Sequence, residues 1–344
     1  MTATTIVELE SQHTESEASP LAVLGLSGTA LLTACGGGGE SSTSTTPATT
    51  PDNSLANNLA LTDAARFLRQ ASWGGTSQEI KDLASTGPQV WLNAQFNAQQ
   101  GQTLTRWLIE KGFNDASTSN NVNGDGGWVQ AIWWKLFSAT DLFRQRAALA
   151  LSELFVVSQL GLPFSWRNFA IANYWEILET NALGNFRTLL ENVTLSSAMG
   201  TYLNMKGNQK YDAKTGRSPD ENYAREVMQL FTIGLYQLNI DGTLQMDSQG
   251  KPIESYDNVD TQGLARVFTG WNTATGTDAT GELANAAYRH GLPMMLNATL
   301  HSPEEKKFLG VTIPAGTPGV ESLKIALDTL FNHNNTAPFI SKQL

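Results

Sequence analysis

The sequence predicts a mainly α, multi-helix globular domain with a small β-hairpin insertion, and three observations predict it. Apolar residues recur at three- and four-residue spacing along most of the chain beyond residue 60. Gly, Pro and Asn-rich breaks separate these runs at helix-length intervals. Only Tyr236 to Ile240 and Lys251 to Tyr256, beside the turn pairs Asp241-Gly242 and Gln249-Gly250, read as a hairpin. With 41% hydrophobic residues among 344, there is material for a large packed core.

The first 34 residues stand apart. Leu21 to Ala34 is an apolar run of 14 residues interrupted by Gly25, Ser27, Gly28 and Thr29, too short to span a bilayer and of signal-peptide length. Glu8, Glu10, Glu15 and Glu17 precede it, and the first basic residue is Arg66, so the basic start of a typical signal is missing. The run ends in Leu32-Thr33-Ala34-Cys35, which resembles the bacterial lipobox at all four positions. That resemblance implies cleavage before Cys35, acylation of its thiol, and a lipid-anchored place in the cell envelope. Gly36 after the cysteine, rather than Asp, resembles lipoproteins sent to the outer membrane.

Residues 35 to 58 are Gly, Ser, Thr, Pro and Asn with almost no apolar side chain, a composition that cannot offset the entropy of ordering. As a flexible tether of about 23 residues this segment reaches roughly 25 to 30 Å.

From residue 59 to 344 the reading is one helical domain. A helix opens at Leu61 with Thr62 or Asp63 as its cap and stops at Gly74-Gly75, and a second opens at Thr76 or Ser77. Gly87-Pro88 breaks the pattern before Val90, Trp91, Leu92 and Phe96 resume it. Ala116 to Gly127 reads as a loop. Val129, Ile132, Trp133, Leu136 and Phe137 mark a further helix, and others follow over 141–158 (apolar on nearly every face of its second half, hence central), over 167–181 and over 185–193. Ser218-Pro219-Asp220-Glu221 has the form of a capping box, with Ser218 as the cap and Glu221 closing it. Tyr223, Val227, Leu230, Phe231 and Gly234 then share one stripe, and Glu221 and Arg225 are spaced for an ion pair. At the end, Thr336 to Ile340 reads as a helix that stops within one turn. The expectation is an incomplete copy of the domain with an apolar groove left open.

Charge narrows the function. With 32 acidic against 22 basic residues the net charge is −10, and losing the four acidic residues of the leader makes it −6. No basic run exists to neutralise phosphates, so nucleic acid is not an expected partner. One cysteine excludes an internal disulfide and thiolate zinc sites. Of four histidines, none has His-Glu-x-x-His spacing, and no phosphate-binding loop or Gly-x-Ser-x-Gly elbow occurs, so neither metal nor cofactor is expected. His301 precedes Ser302-Pro303-Glu304-Glu305, a helix-start pattern that points to a capping or surface role. The best polar cluster is Asn222, Arg225 and Glu226, with His301 as a further member of a candidate pocket. Nine tryptophans, including Trp133-Trp134, could offer platforms for sugars, but at helical spacing aromatics are mostly core.

Six strings together resemble one bacterial family, catalogued as domain of unknown function 1800. They are Ala65 to Ser77, Phe143 to Ser158, Gly184 to Lys210, Pro219 to Gly234, Leu264 to Trp271 and His333 to Ile340. The resemblance implies an exported, mainly helical protein, with a sulfatase-like neighbour as a partner and no established activity. Two departures stand out: Ser196-Ser197 occupies the place where members often have His-Pro, and the chain stops at Leu344 where the family continues. The expected function is an exported lipoprotein that binds or scaffolds an envelope or extracellular partner. The alternative is a hydrolase using an acidic pocket around Glu226. Convergence of Glu226, Asn222 and His301 on one concave pocket would favour the enzyme.

Overall fold

The computed structural model describes residues 59–274 and 289–344. The leader, Cys35 and the tether lie outside the described residues. The described chain holds fourteen α-helices and two antiparallel strand pairs, which makes it mainly α as the periodicity predicts. No helix among the described residues is long and apolar enough to cross a membrane.

Helix α1 (Leu61–Ala71) starts where expected, but Ala60 precedes it without a side-chain cap, and Asp63 instead pairs with Arg66 inside the first turn. Helix α2 (Ser77–Thr86) is closed by a capping box in which Thr76 and Glu79 exchange hydrogen bonds. Gly87, at φ +83°, turns the chain into α3 (Pro88–Phe96). Helices α4 (Leu104–Glu110) and α5 (Ser119–Asn123) follow. The latter corrects the expectation of a plain loop, because Asn121 is buried there and its amide reaches the carbonyls of Gly112 and Asp115.

Next come α6 (Trp128–Ser138), α7 (Leu142–Leu154) and α8 (Arg167–Asn181). The helix in the middle of the domain is α8, not α7. Nine of its fifteen residues are buried, because α4, α6, α7, α9 (Phe186–Leu195) and α10 (Ser197–Tyr202) all pack on it. Helix α11 (Asn222–Gln229) starts four residues after Ser218. The expected cap therefore does not form: Ser218 lies outside the helix, and Glu221 precedes it without a side-chain cap. Asn208 holds this stretch instead, accepting from the Asp220 N–H at 2.8 Å and donating to the Asp220 carbonyl at 3.0 Å. The Glu221–Arg225 pair is present at 3.2 Å.

The hairpin expected over 236–256 is a meander joined by single bridges, Tyr236 to Glu254, Leu238 to Leu244 and Met246 to Pro252. Asn335 clasps it from the far end of the chain. Its amide donates to the carbonyls of Ile233 and Tyr236, both at 2.8 Å, and accepts from the Leu238 N–H at 3.0 Å.

The formal strands lie elsewhere. Strand β1 (Trp271–Asn272) pairs with β2 (Met295–Leu296), and β3 (Lys306–Phe308) with β4 (Val311–Ile313). Leu309 and Gly310, at φ +49° and +76°, form the two-residue turn between β3 and β4. Ser302 to Glu305 thus leads into a strand, not a helix, since Lys306 and Phe308 turn inward. Helix α12 (Asn258–Val267) lies directly on β3. The chain closes with α13 (Gly319–Asn332) and α14 (Thr336–Gln343), the latter two turns long rather than one and burying Thr336, Pro338 and Ile340.

Candidate functional site

The residues singled out in the sequence lie in three places. Arg225 lines one cavity with Tyr236, Tyr256 and Thr261. Glu226 lines another, of about 390 Å³, with Glu153, Leu230, Phe231 and Phe339. Arg225 and Glu226 point about 100° apart on the helix, and each opens onto its own cavity. His301 lines neither. It is buried against Gly319 at the start of α13, with Nδ1 2.9 Å from the Thr269 carbonyl and Nε2 without a partner. Burial holds its pKa below the usual histidine value, so the surface or capping role does not apply. Asn222 begins α11, half-buried, its N–H bonded to Asp220. Among the described residues, none of the main cavities gathers Asn222, Arg225, Glu226 and His301. Among the described residues no group of three His, Cys, Asp or Glu is placed to hold a metal.

A different cleft, of about 340 Å³, is built on α8. Asn173, Glu176, Ile177, Thr180 and Asn181 fall at three- and four-residue spacing and make one wall. The end of α9 supplies Asn192 and Leu195, and Ser196 follows. Gly291, Leu292 and Pro293 form the third side, fastened by the Ser196–Pro293 bridge and by Met294 N–H to the Leu195 carbonyl at 2.7 Å.

Glu176 anchors the cleft. One carboxylate oxygen accepts from the Thr105 N–H at 2.6 Å, while burial raises the carboxyl above its usual range. Asn181 donates to the Ile177 carbonyl at 2.7 Å and accepts from Asn192 at 3.4 Å, so the two amides face each other across the walls. Among the described residues no basic side chain lines the cleft.

Beside it, His290 stacks on Phe164 with ring centroids 3.8 Å apart, and the Lys206 ammonium lies 4.8 Å from the same ring. Burial, helped by Lys206 and Arg289, depresses the His290 pKa to about 4. The folded protein thus resists a proton that the unfolded chain takes up near 6.5. Stability from this group is full above pH 6.5 and is lost as pH falls toward 4. Glu176, with a raised pKa, works in the opposite sense in acid. Melting temperatures of wild type and His290→Phe between pH 7.5 and 4 check this: the wild type should lose more over that range, and parallel curves would refute it.

Behind the cleft, Glu179 on α8 meets Lys135 of α6 at 2.7 Å with both side chains buried. Gln145 donates to the same Glu179 oxygen at 2.7 Å, and Lys135 also donates to the Gln102 carbonyl at 2.8 Å. This network and the cleft escaped the sequence reading. Their signal was available as polar residues Asn168, Asn173, Glu176 and Glu179, repeating on a helix otherwise rich in apolar side chains.

The model of a family described as protein of unknown function, DUF1800, matches residues 66–344. The chain belongs to this family. Every residue of the α8 cleft lies within the DUF1800 match, as do the buried network and the meander. Neither the curated proteins nor the solved structures contain a match to the chain.

Proposed function

We propose that this DUF1800 protein is an exported lipoprotein, anchored in the cell envelope through Cys35, whose domain binds an uncharged ligand rich in hydroxyl and amide groups in the α8 cleft. The lining of the cleft carries the reading. Asn173, Asn181 and Asn192 offer amides, Thr180 and Ser196 offer hydroxyls, and Glu176 adds a single carboxyl, over Ile177, Leu195, Leu292 and Pro293. Amides both donate and accept, which suits sugars and acetamido sugars, whereas a phosphate or carboxylate ligand would find no cation among the described lining residues.

Binding is favoured over hydrolysis because paired-carboxylate chemistry needs a second acid within about 5 to 10 Å. Among the described residues Glu176 is the one carboxyl lining the cleft, and the neighbouring Glu179 is held by Lys135. The complete lipobox at Leu32 to Cys35 supports the anchor.

Calorimetric titration with chitotetraose and cellotetraose tests the ligand class. Binding of at least one is expected, with affinity about tenfold lower in Asn192→Leu and in Glu176→Leu, the scale of one lost buried hydrogen-bond partner. Absence of binding to both, or binding indifferent to these changes, would count against the cleft. For the anchor, Cys35→Ala should abolish incorporation of labelled fatty acid, and undiminished labelling would remove Cys35 as the site.

A further inference from the structure

Two helices present no charge to solvent. Helix α3 has no charged residue in nine positions and no fully buried one, and the single charge of α6, Lys135, is turned inward. Their outer sides instead expose large apolar groups: Val90 and Phe96 on α3, and Val129, Trp133 and Phe137 on α6. The last three are spaced four apart on one stripe. Trp133 and Phe137 stack at 5.5 Å, and Phe137 is 76% exposed.

Helix α3 packs against α7 and the turn that joins it to α6. Gln95 donates to the Thr140 carbonyl at 3.3 Å and accepts from the Phe143 N–H at 3.0 Å, and Phe96 packs edge-on against Phe143. The chain also enters the domain here. The Leu59 N–H bonds to the carbonyl of Ala84, four residues before α3 begins.

We propose that this uncharged α3 and α6 face lies on the lipid bilayer to which Cys35 holds the chain; the inference rests on the anchor reading. A coil of about 23 residues would set Leu59 at a root-mean-square distance of roughly 25 to 30 Å from that lipid. The face beside that entry point then meets the membrane at high effective concentration. Trp, Phe and Val above a rim of Gln89, Asn93, Gln130 and Ser138 match the boundary between headgroups and acyl chains, where Trp concentrates. The same rim offers no ion pairs that would fix the register of a protein partner.

The test uses full-length protein. Acylated protein is placed in phosphatidylethanolamine and phosphatidylglycerol vesicles whose acyl chains carry bromine, a contact quencher of tryptophan emission. Part of the emission should be quenched, and Trp133→Leu should remove at least half of that part. No quenching, or equal quenching in the variant, overturns the proposal. In a second arm, full-length Cys35→Ala should still co-sediment weakly with the same vesicles. Adding Phe137→Asp should lower that partitioning roughly tenfold, in line with losing one buried phenylalanine. Unchanged partitioning overturns it. Because this arm needs no lipid anchor, and fatty-acid labelling reads the anchor alone, failure of one reading is distinguishable from failure of the other.

Discussion

Replacing Lys135 by Met is expected to destabilise the domain by about 3 to 5 kcal/mol, because it strands the Glu179 carboxylate in the interior. The two charged groups are 2.7 Å apart and only 2% and 0% exposed, so water cannot take the place of the lost ammonium. Gln145 would remain as a donor to Glu179, but Arg144 is paired with the buried Asp141 at 3.3 Å and reaches the Glu179 backbone carbonyl, at 3.4 Å, not its carboxylate. The double change Lys135→Met with Glu179→Leu should recover most of the loss and end within about 2 kcal/mol of wild type, since apolar pairs replace buried ion pairs at little net cost. Urea unfolding of the four proteins in the cycle measures this. A double variant as unstable as the sum of the singles would show that the pair is not the unit that matters.

The second large effect is expected at Gly263. This residue sits inside α12, where Ala would ordinarily stabilise by about 1 kcal/mol. Here a Cβ would lie 1.7 Å from the Lys307 carbonyl oxygen and 2.6 Å from its carbon, both backbone atoms that no rotamer change can move. Helix and strand would have to separate, breaking the 2.6 Å bond from the Leu309 N–H to Asp260 and loosening Phe308 in the core. Steric cost outweighs propensity, and Gly263→Ala should lose about 3 kcal/mol or more, a fall of roughly 6 to 12 °C in Tm. Gly310→Ala is the comparison: nothing lies within 4 Å of its Cβ position, so only its left-handed backbone is penalised, at about 1 kcal/mol. A Gly263→Ala protein that melts with or above wild type would refute the close approach.

What could be read from the sequence was what local chemistry decides. The helices opening at Leu61 and near Ser77, the one marked by Val129 to Phe137 and the one over 167–181 follow from apolar spacing and from breaks such as Gly87-Pro88, and the structure has a helix at each place. Where the reading failed, a distant partner had taken the local signal. Ser218 to Glu221 has every feature of a helix start, yet Asn208 brackets Asp220 and delays the helix to Asn222. Ser302 to Glu305 looks like another, but Lys306 turns inward to the carbonyls of Ser302 and Glu304 and begins a strand. Similarly, Arg225 and Glu226 are neighbours in sequence that line separate cavities. The cleft was hidden for the opposite reason. Its walls come from residues 173–196 and 291–293, and nothing in either stretch announces the other.

The Asn335 clasp has a consequence for the order in which the chain acquires its shape. Its three bonds reach partners 97 to 102 residues earlier, and the meander they hold has only isolated bridges of its own. Closing loops of that length is slow compared with coiling a helix, so contacts of this kind form late. During synthesis, the segment from Leu235 to Ser255 emerges long before Asn335 does and has to wait for it. A chain interrupted just before residue 335 would carry helices α1 to α13 and its cleft residues but leave that segment without its fastening, a natural point of attack for proteases that clear unfinished protein.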